Sequence, residues 1–264
     1  VGEGKGRASV DYRLGNTSYN AYIDITVEKV EADCVINLNG KQYTANSLEE
    51  AVNQSGQTEL TSVKFESGVI RKEDFDYLKK VSRIQYTLKE FSIGDEVVLR
   101  GLDGNEIPVK AFYASYPGYI LENVYLGKNV KGLKMNAFGM CTDISSFEAP
   151  GLEWMDGSAL DRVNGLTEFS LPSLKVVESP LFGTMSNRKT NTVKLPAVTE
   201  LANDAFSELT KLTTLELGAT PPTVQISGRD LEFASGVVDS LKLVIPEGAL
   251  DAYKASPGYN EENN

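Results

Sequence analysis

The chain of 264 residues contains no histidine. This absence excludes Ser–His–Asp and Cys–His catalytic sites, histidine-ligated metals and the side chain that most often acts as a general base near neutral pH. The two cysteines, Cys34 and Cys141, form neither a CxxC pair nor a zinc-ligand spacing. We interpret them as two buried thiols, with a disulfide between them as the alternative. The sequence therefore predicts no metal ion and no cofactor.

Positive charge is also scarce. Lys and Arg number 26 against 37 Asp and Glu, so the net charge is −11. Binding to nucleic acid or to an anionic membrane surface needs clustered Lys or Arg, so neither is an expected partner. A run of about eighteen apolar residues, which could span a membrane, does not occur in the sequence. No signal peptide is recognisable after Val1, and a lipid anchor upstream of residue 1 is an open expectation.

What the chain does have is a repeat with a period in the low twenties. A doublet of a small or apolar residue followed by a large apolar one recurs at Ala111-Phe112, Ala137-Phe138, Ala159-Leu160, Leu181-Phe182 and Ala205-Phe206. About ten residues after each doublet comes a strand-like triplet, at 124–126, 147–149, 169–171, 193–195 and 215–217. A period of this length is typical of a solenoid, in which stacked copies bury a core that one copy cannot.

The copy that begins at Leu166 shows how each repeat is built. Phe169 and Leu171 alternate with Ser170, so the first two point inward and Ser170 points outward. Pro172 then ends the strand because it lacks a ladder N–H. The sequence predicts a solenoid of parallel strands preceded by a small β-rich segment, and its repeat pattern resembles that of an α/β fold, the leucine-rich-repeat right-handed solenoid with parallel strands on the concave face.

The predicted domains are a β-rich N-terminal segment with a short helix, 1–57, and the solenoid, 58–264. The solenoid divides into an irregular first turn, 58–106, regular repeats, 107–224, and a C-terminal cap, 225–264. Residues 22–28 alternate like a strand, and Asn39-Gly40 predicts a hairpin turn. Ser47-Leu-Glu-Glu50 predicts a helix start, 74–81 has helical spacing, and 84–88 alternates like a strand. Residues 1–10 are expected to form a loose tail, and 103–106 a turn rather than a calcium loop.

Several stretches resemble the BspA-type leucine-rich repeats, a class similar to the Treponema pallidum repeats. The resemblance is carried by Ala137-Phe-Gly-Met-Cys141, by Leu201 to Phe206 with Leu212 to Leu217, and by a cap-like segment from Pro221-Pro222 to Tyr253. It implies that Cys141 is a buried repeat position. It also implies a cell-surface or secreted protein of anaerobic bacteria, often a lipoprotein, with a role in adhesion.

The outward strand positions form the candidate partner surface: Tyr125, Glu148, Ser170, Lys194 and Glu216. Parallel strands lie about 4.8 Å apart, so these five are expected to span roughly 20 Å. Trp154, the only tryptophan, is a candidate interface anchor. The alternatives are a solvated sheet face and, for Trp154, half-buried packing. Glu148 and Glu168 are a weak candidate for a glycosidase carboxylate pair, since no insertion builds a pocket around them.

The sequence thus favours a non-enzymatic interaction protein, extracellular or on a bacterial cell surface, that binds a protein or polysaccharide ligand through its leucine-rich-repeat surface. The alternative is a structural spacer or assembly subunit of the cell envelope with no ligand of its own.

Overall fold

The computed structural model describes residues 4–14, 17–27, 34–113, 119–178, 181–182, 189–202, 204–207, 209–225 and 241–256. The chain forms two compact units, residues 1–32 and residues 33–264. The boundaries that the sequence predicts at residues 57, 106 and 224 stay predictions.

The first unit is an antiparallel pair of strands, β1 (Gly4–Leu14) and β2 (Thr17–Val27). The alternating pattern predicted a strand over the second of these, and it is confirmed. The prediction of a loose tail over residues 1–10 is wrong from residue 4 onward, where β1 begins. Ala8 and Val10 alternate with polar residues, which is the period of a strand, although the segment begins with several glycines. In the register they stand opposite Ile23 and Ala21.

The second unit opens with a hairpin of β3 (Cys34–Leu38) and β4 (Lys41–Ala45). Its turn is Asn39-Gly40, and both residues have positive φ, 51° and 89°, as a tight hairpin turn requires. Helix α1 (Leu48–Ser55) follows, and the Ser47 hydroxyl accepts a hydrogen bond from the Glu50 N–H at 3.2 Å. The hairpin and the helix start read from the sequence are both confirmed.

The irregular first turn consists of β5 (Ser62–Arg71), α2 (Lys72–Lys80), α3 (Ser82–Gln85), β6 (Glu90–Ile93) and β7 (Val97–Arg100). Strand β5 pairs with β3, with β6 along its first half and with β7 along its second half. The strand predicted over 84–88 is wrong. Ile84 and Leu88 are four residues apart on a helical turn, where the Leu88 N–H donates to the Ile84 carbonyl at 2.9 Å, and both are buried.

From residue 106 the strands are short, and α4 (Leu250–Ala255) follows the last of them. In chain order they are β8 (Glu106–Ile107), β9 (Asn123–Leu126), β10 (Gly132–Leu133), β11 (Ser146–Glu148), β12 (Trp154–Met155), β13 (Glu168–Ser170), β14 (Val176–Val177), β15 (Thr192–Leu195), β16 (Glu200–Ala202), β17 (Thr214–Leu217), β18 (Thr223–Gln225) and β19 (Lys242–Val244).

These strands form two ladders, to which each turn contributes one strand apiece. The first ladder contains β6, β9, β11, β13, β15, β17 and β19, and the second contains β8, β10, β12, β14, β16 and β18. All hydrogen-bonded neighbours within them are parallel. A chain that adds a parallel strand to each ladder with every turn is a solenoid, so the predicted fold class is confirmed.

The core runs along the whole array. All five doublets are buried, as are the inward residues of each strand triplet. Aromatic rings link successive turns through neighbouring pairs: Phe91–Phe112, Phe112–Phe138, Phe138–Phe147, Phe147–Phe169 and Phe169–Phe182, with centroids 4.6 to 6.4 Å apart. This continuity explains why a single repeat does not suffice, since each ring is covered by the next turn.

Both cysteines are buried thiols, as the sequence favoured, and no disulfide joins them. The Cys34 Sγ donates to the Val69 carbonyl at 2.7 Å, and the Cys141 Sγ donates to the Phe112 carbonyl at 3.3 Å. Burial raises the pKa of the Cys141 thiol, so the thiol is unreactive. The side chain serves to pack the core at a repeat position.

Candidate functional site

A cleft opens on the outward face of the first ladder between β11 and β13. Its volume is about 490 Å³, within the range of small-molecule and peptide-segment sites. Its polar lining comes from Tyr125, Ser145, Glu148, Thr167, Glu168 and Ser170. It is therefore the part of the strand face where a partner group can sit below the level of the neighbouring side chains.

The cleft exists because both ladders are interrupted at the same step. Strand β11 pairs with β9, and β13 pairs with β15, but within the described segment 119–178 no backbone hydrogen bond joins β11 to β13. The second ladder likewise ends at β12 and restarts at β14. One backbone bond remains there, from the Lys175 N–H to the Glu153 carbonyl at 3.0 Å. We call this step the junction, the turns before it the N-terminal block, and the turns after it the C-terminal block.

The two blocks touch at both ends of the cleft and beneath it. At one end, a Cβ on Gly165 would lie only 2.1 Å from the Ile144 carbonyl oxygen, so the backbones meet there as only glycine permits. At the other end, the Ser173 hydroxyl donates to the Pro150 carbonyl at 2.7 Å. Below, the rings of Phe147 and Phe169 lie 6.4 Å apart. The cleft is thus a short gap in the ladder rather than a separation of two domains.

The register shows which backbone groups face the gap. In a strand, successive residues point their N–H and C=O groups to opposite sides. The Ser146 N–H donates to the Glu122 carbonyl at 3.1 Å, so Ser146 and Glu148 face β9, and Phe147 and Ala149 face the cleft.

On the opposite wall, the Thr192 N–H donates to the Thr167 carbonyl at 3.4 Å and the Leu171 N–H donates to the Lys194 carbonyl at 3.0 Å. Thr167 and Leu171 therefore face β15, whereas Glu168 and Ser170 face the cleft. Each wall is an open strand edge, and such an edge is a template for a further strand.

Acidic groups dominate the cleft rim. Glu148 is exposed and stands opposite Tyr125 in the register. Among the described residues it has no ion-pair partner. Glu168 lies 2.6 Å from the Lys194 ammonium, and this hydrogen bond raises the pKa of Lys194. The whole chain likewise carries a net charge of −11.

Tyr125 is held in place at the rim. Its hydroxyl donates to Asp95 Oδ1 at 2.9 Å, and this bond raises the pKa of Tyr125. The Lys128 backbone N–H, which donates to the same oxygen at 3.0 Å, is the main reason why the pKa of Asp95 lies below its ordinary value. The ring therefore lies at a fixed position beside Glu148, and its contribution to binding needs little ordering of the side chain.

The structure brings together three of the residues predicted as partner-binding, Tyr125, Glu148 and Ser170, which line the cleft. Lys194 is joined to the rim through Glu168. Glu216 stands opposite Lys194 on β17, outside the cleft. The expectation of one continuous ladder over all five strands is wrong at the β11–β13 step.

Trp154 lies on the second ladder, away from the cleft. Its ring covers Gly132, where a Cβ would come within 2.0 Å of it, and the Lys134 ammonium lies 4.8 Å from the ring centroid. The half-buried ring borders a separate hollow of about 150 Å³. Trp154 stands opposite Gly132 in the register, so the two residues occupy equivalent positions of successive repeats.

Sequence reasoning missed the unpaired strand edges. The inward and outward alternation is the same in every copy, so nothing in the strand pattern marks the interruption. The only signal near it is that the doublets on either side, Ala159-Leu160 and Leu181-Phe182, are the two that depart from Ala-Phe.

Two other classes of site were tested against the described residues. No cluster of three or more acidic or cysteine side chains suitable for a metal ion occurs in that part of the chain. None of the helices found there is long and apolar enough to cross a membrane. The 103–106 segment forms a turn, in which Gly104 and Asn105 have positive φ, as predicted.

The comparisons with known proteins give one family. A model of the BspA type Leucine rich repeat region matches residues 105–227 in six copies, where the sequence pattern alone gives five regular repeats. A search of curated proteins finds no match. Among solved structures, a leucine rich cell surface protein from Faecalibacterium prausnitzii A2-165 is similar at 19% identity, with a TM-score of 0.43. The likeness covers 62% of this chain and 46% of that chain, so less than half of that protein's length. Residues 105–227, just under half of the chain, therefore match the BspA-type leucine-rich repeats.

Proposed function

We propose that this protein is an exported interaction protein of a bacterial cell surface, and that it binds a protein or glycan partner at the cleft between β11 and β13. One observation carries the proposal: two open strand edges face each other across a space of about 490 Å³, beside an unpaired Glu148. Buried backbone N–H and C=O groups are nearly always paired, and the cleft-facing residues Phe147 and Ala149 are buried, so this place favours an external partner.

The proposal is for binding rather than catalysis. The chain offers no histidine, and Glu168 is engaged with Lys194 instead of being left to act as an acid or base. Glu148 and Glu168 stand on opposite walls of a gap whose backbone groups are themselves unsatisfied. Support comes also from the family, since the resemblance implies surface proteins that act in adhesion.

The second candidate is a spacer or assembly subunit of the envelope. It is favoured by the rest of the first-ladder face, where charges neutralise each other between adjacent strands. Lys64 pairs with Glu90 at 3.2 Å, and Lys89 pairs with Glu122 at 2.7 Å. A face of this kind offers few anchors to a partner, so a spacer would be expected to lack specific ligands and to self-associate.

A binding screen distinguishes the two candidates. The protein is tested against arrays of purified matrix proteins and of glycans, alongside its oligomeric state in solution. The variant Ser170→Arg places a long side chain in the cleft, and Glu216→Arg places the same side chain on the same face outside it. We expect ligands that bind wild type and Glu216→Arg but not Ser170→Arg. Ligands that bind all three equally would contradict the cleft as the site. A stable oligomer without any ligand would favour the spacer.

A further inference from the structure

We infer that the ligand of the cleft is an extended polypeptide segment with basic residues, which binds by supplying the strand that is missing from the first ladder between β11 and β13. This inference rests on the proposed function and narrows its partner from a protein or a glycan to a peptide strand of defined pattern.

The spacing of the open edges is the first reason. On the β11 wall the cleft-facing residues are Phe147 and Ala149, and on the β13 wall they are Glu168 and Ser170. Residues two apart in a strand lie roughly 6.6 Å apart, which is also the repeat of N–H and C=O groups on each side of an extended peptide. One inserted strand could therefore bond to both walls at once. Sugar hydroxyls carry no such matched spacing on two opposite sides.

The second reason is that insertion breaks no existing hydrogen bond of the first ladder. A strand between β11 and β13 would need walls about 9.6 Å apart, twice the spacing of neighbouring strands. Since β11 and β13 share no backbone bond in the described segment 119–178, no hydrogen bond between the two walls has to break for them to take this spacing. The contacts at Gly165 and Ser173 limit the inserted part to a few residues, with the flanks of the peptide leaving over the outward face.

The third reason gives the side-chain pattern. Side chains of an inserted strand would alternate between the outward rim and the core. Outward ones would lie beside Glu148 and Glu168, at the distance at which cross-strand charges pair. An inward one would lie over the rings of Phe147 and Phe169, whose centroids are only 6.4 Å apart and leave no gap between them, so only a small side chain fits above them. The pattern is Lys or Arg, then Gly, Ala or Ser, then Lys or Arg.

The test uses two peptide libraries against the full chain. In both, three fixed central residues are flanked by random positions, and the centres are Lys-Ala-Lys and Glu-Ala-Glu. We expect binders in the first library only. For the best binder, an N-methyl group on the central alanine should weaken binding at least tenfold, because it removes a ladder N–H. Replacement of that alanine by tryptophan should do the same, because the contacting rings of Phe147 and Phe169 leave no room for a large inward side chain.

Protein variants locate the peptide. Ser170→Pro removes the cleft-facing N–H of β13 while leaving Phe169 and Leu171 bonded to β15, and it should weaken binding at least tenfold. Glu148→Gln should weaken it severalfold and flatten its dependence on salt. Glu216→Gln, on the same face outside the cleft, should leave it unchanged. If the proline variant fails to fold, amide exchange in wild type decides: the bound peptide should protect Phe147, Ala149, Glu168 and Ser170.

Other results would overturn the inference. If no Lys-Ala-Lys peptide binds, or if N-methylation has no effect, the ligand is not an inserted strand. If a glycan binds at the cleft, as judged by loss with Ser170→Arg, while all peptides fail, the inference is wrong but the proposed function stands. If neither peptides nor array ligands bind, both fail.

Discussion

Phe147→Ala should uncouple the two blocks of the solenoid. Phe147 lies on β11, at the last turn before the junction, and it is buried. Its ring packs edge-to-face on Phe138 at 5.5 Å within its own block and lies 6.4 Å from Phe169 in the next. It is therefore the ring through which the core passes from one block to the other.

The magnitude follows from what the junction lacks. In a repeat array, neighbouring turns are coupled by the energy of the interface between them. Elsewhere that interface includes strand bonds, each worth about 0.5–1.5 kcal/mol net. Here the N–H groups of Phe147, Ala149, Glu168 and Ser170 make none, so the coupling is weaker by about 2–6 kcal/mol. Removing the Phe147 ring should lower the free energy of unfolding by a further ~3–5 kcal/mol.

The assay is urea denaturation followed by two probes. Trp154 is the only tryptophan, and it reports on the N-terminal block through its packing on Gly132. Circular dichroism reports on the whole chain. Wild type should show coincident transitions. In Phe147→Ala, circular dichroism should begin to change at lower urea than tryptophan fluorescence, as the C-terminal block opens first.

The control is Phe138→Ala, which removes a ring of the same size that stacks on Phe112 at 4.9 Å, inside the N-terminal block. It should lower stability by a similar amount and keep the two probes coincident. Coincident transitions in Phe147→Ala, or a split in the control instead, would refute the idea that the junction is the weak interface.

Three further predictions follow from other sites. Trp154→Ala should lower the free energy of unfolding by ~1–3 kcal/mol, since the half-buried ring covers Gly132, and leave peptide affinity at the cleft unchanged; lost affinity at unchanged stability would make Trp154 an interface residue. In unliganded protein, the amides of Glu168 and Ser170 should exchange with solvent faster than those of Thr192 and Lys194, their partners in register on β15; equal protection would show that the ladder is continuous. The third prediction concerns Asp74, whose pKa is raised by burial although its carboxylate accepts the Leu48 and Arg71 N–H groups at 2.7 and 2.8 Å. Just above the ordinary aspartate pKa, Asp74 is therefore still protonated in the folded state but already ionised in the unfolded chain. Relative to Asp74→Asn, the free energy of unfolding of wild type should decrease as the pH rises from the ordinary aspartate value, about 3.9; an increase over that window, measured by urea titration, would contradict this.

Much of the fold could be predicted because repeat periodicity is a property of residues close together in the chain. The doublets from Ala111-Phe112 to Ala205-Phe206 and the strand triplets between them identify which side chains face the core, and the structure buries all five doublets. The strand prediction over 84–88 was wrong because a few residues can fit both the period of a strand and the period of a helix. Ile84 and Leu88 satisfy both alternation and the helical spacing of four, and only packing under the first turn decides between them.

The candidate site was predicted only in part. Alternation alone places Tyr125, Glu148 and Ser170 on the outward face, and the structure places all three at the cleft. Trp154 was grouped with them because it is large and solitary, but its repeat position assigns it to the second ladder. The position of a residue within the repeat determines which of the two ladders it belongs to. The surface around that residue depends in addition on how the neighbouring turns pack.

The sequence by itself determined the solenoid, its inward and outward residues, the buried thiols and the exclusion of histidine chemistry. Each of these depends on composition or on short-range pattern. The tertiary structure alone decided that the ladder stops between β11 and β13, because strand pairing depends on how two turns pack more than twenty residues apart. The outward residues of this β-sheet face are ordinary polar side chains, and the missing hydrogen bonds between the strands are what place three of them around the cleft that we propose as a binding site.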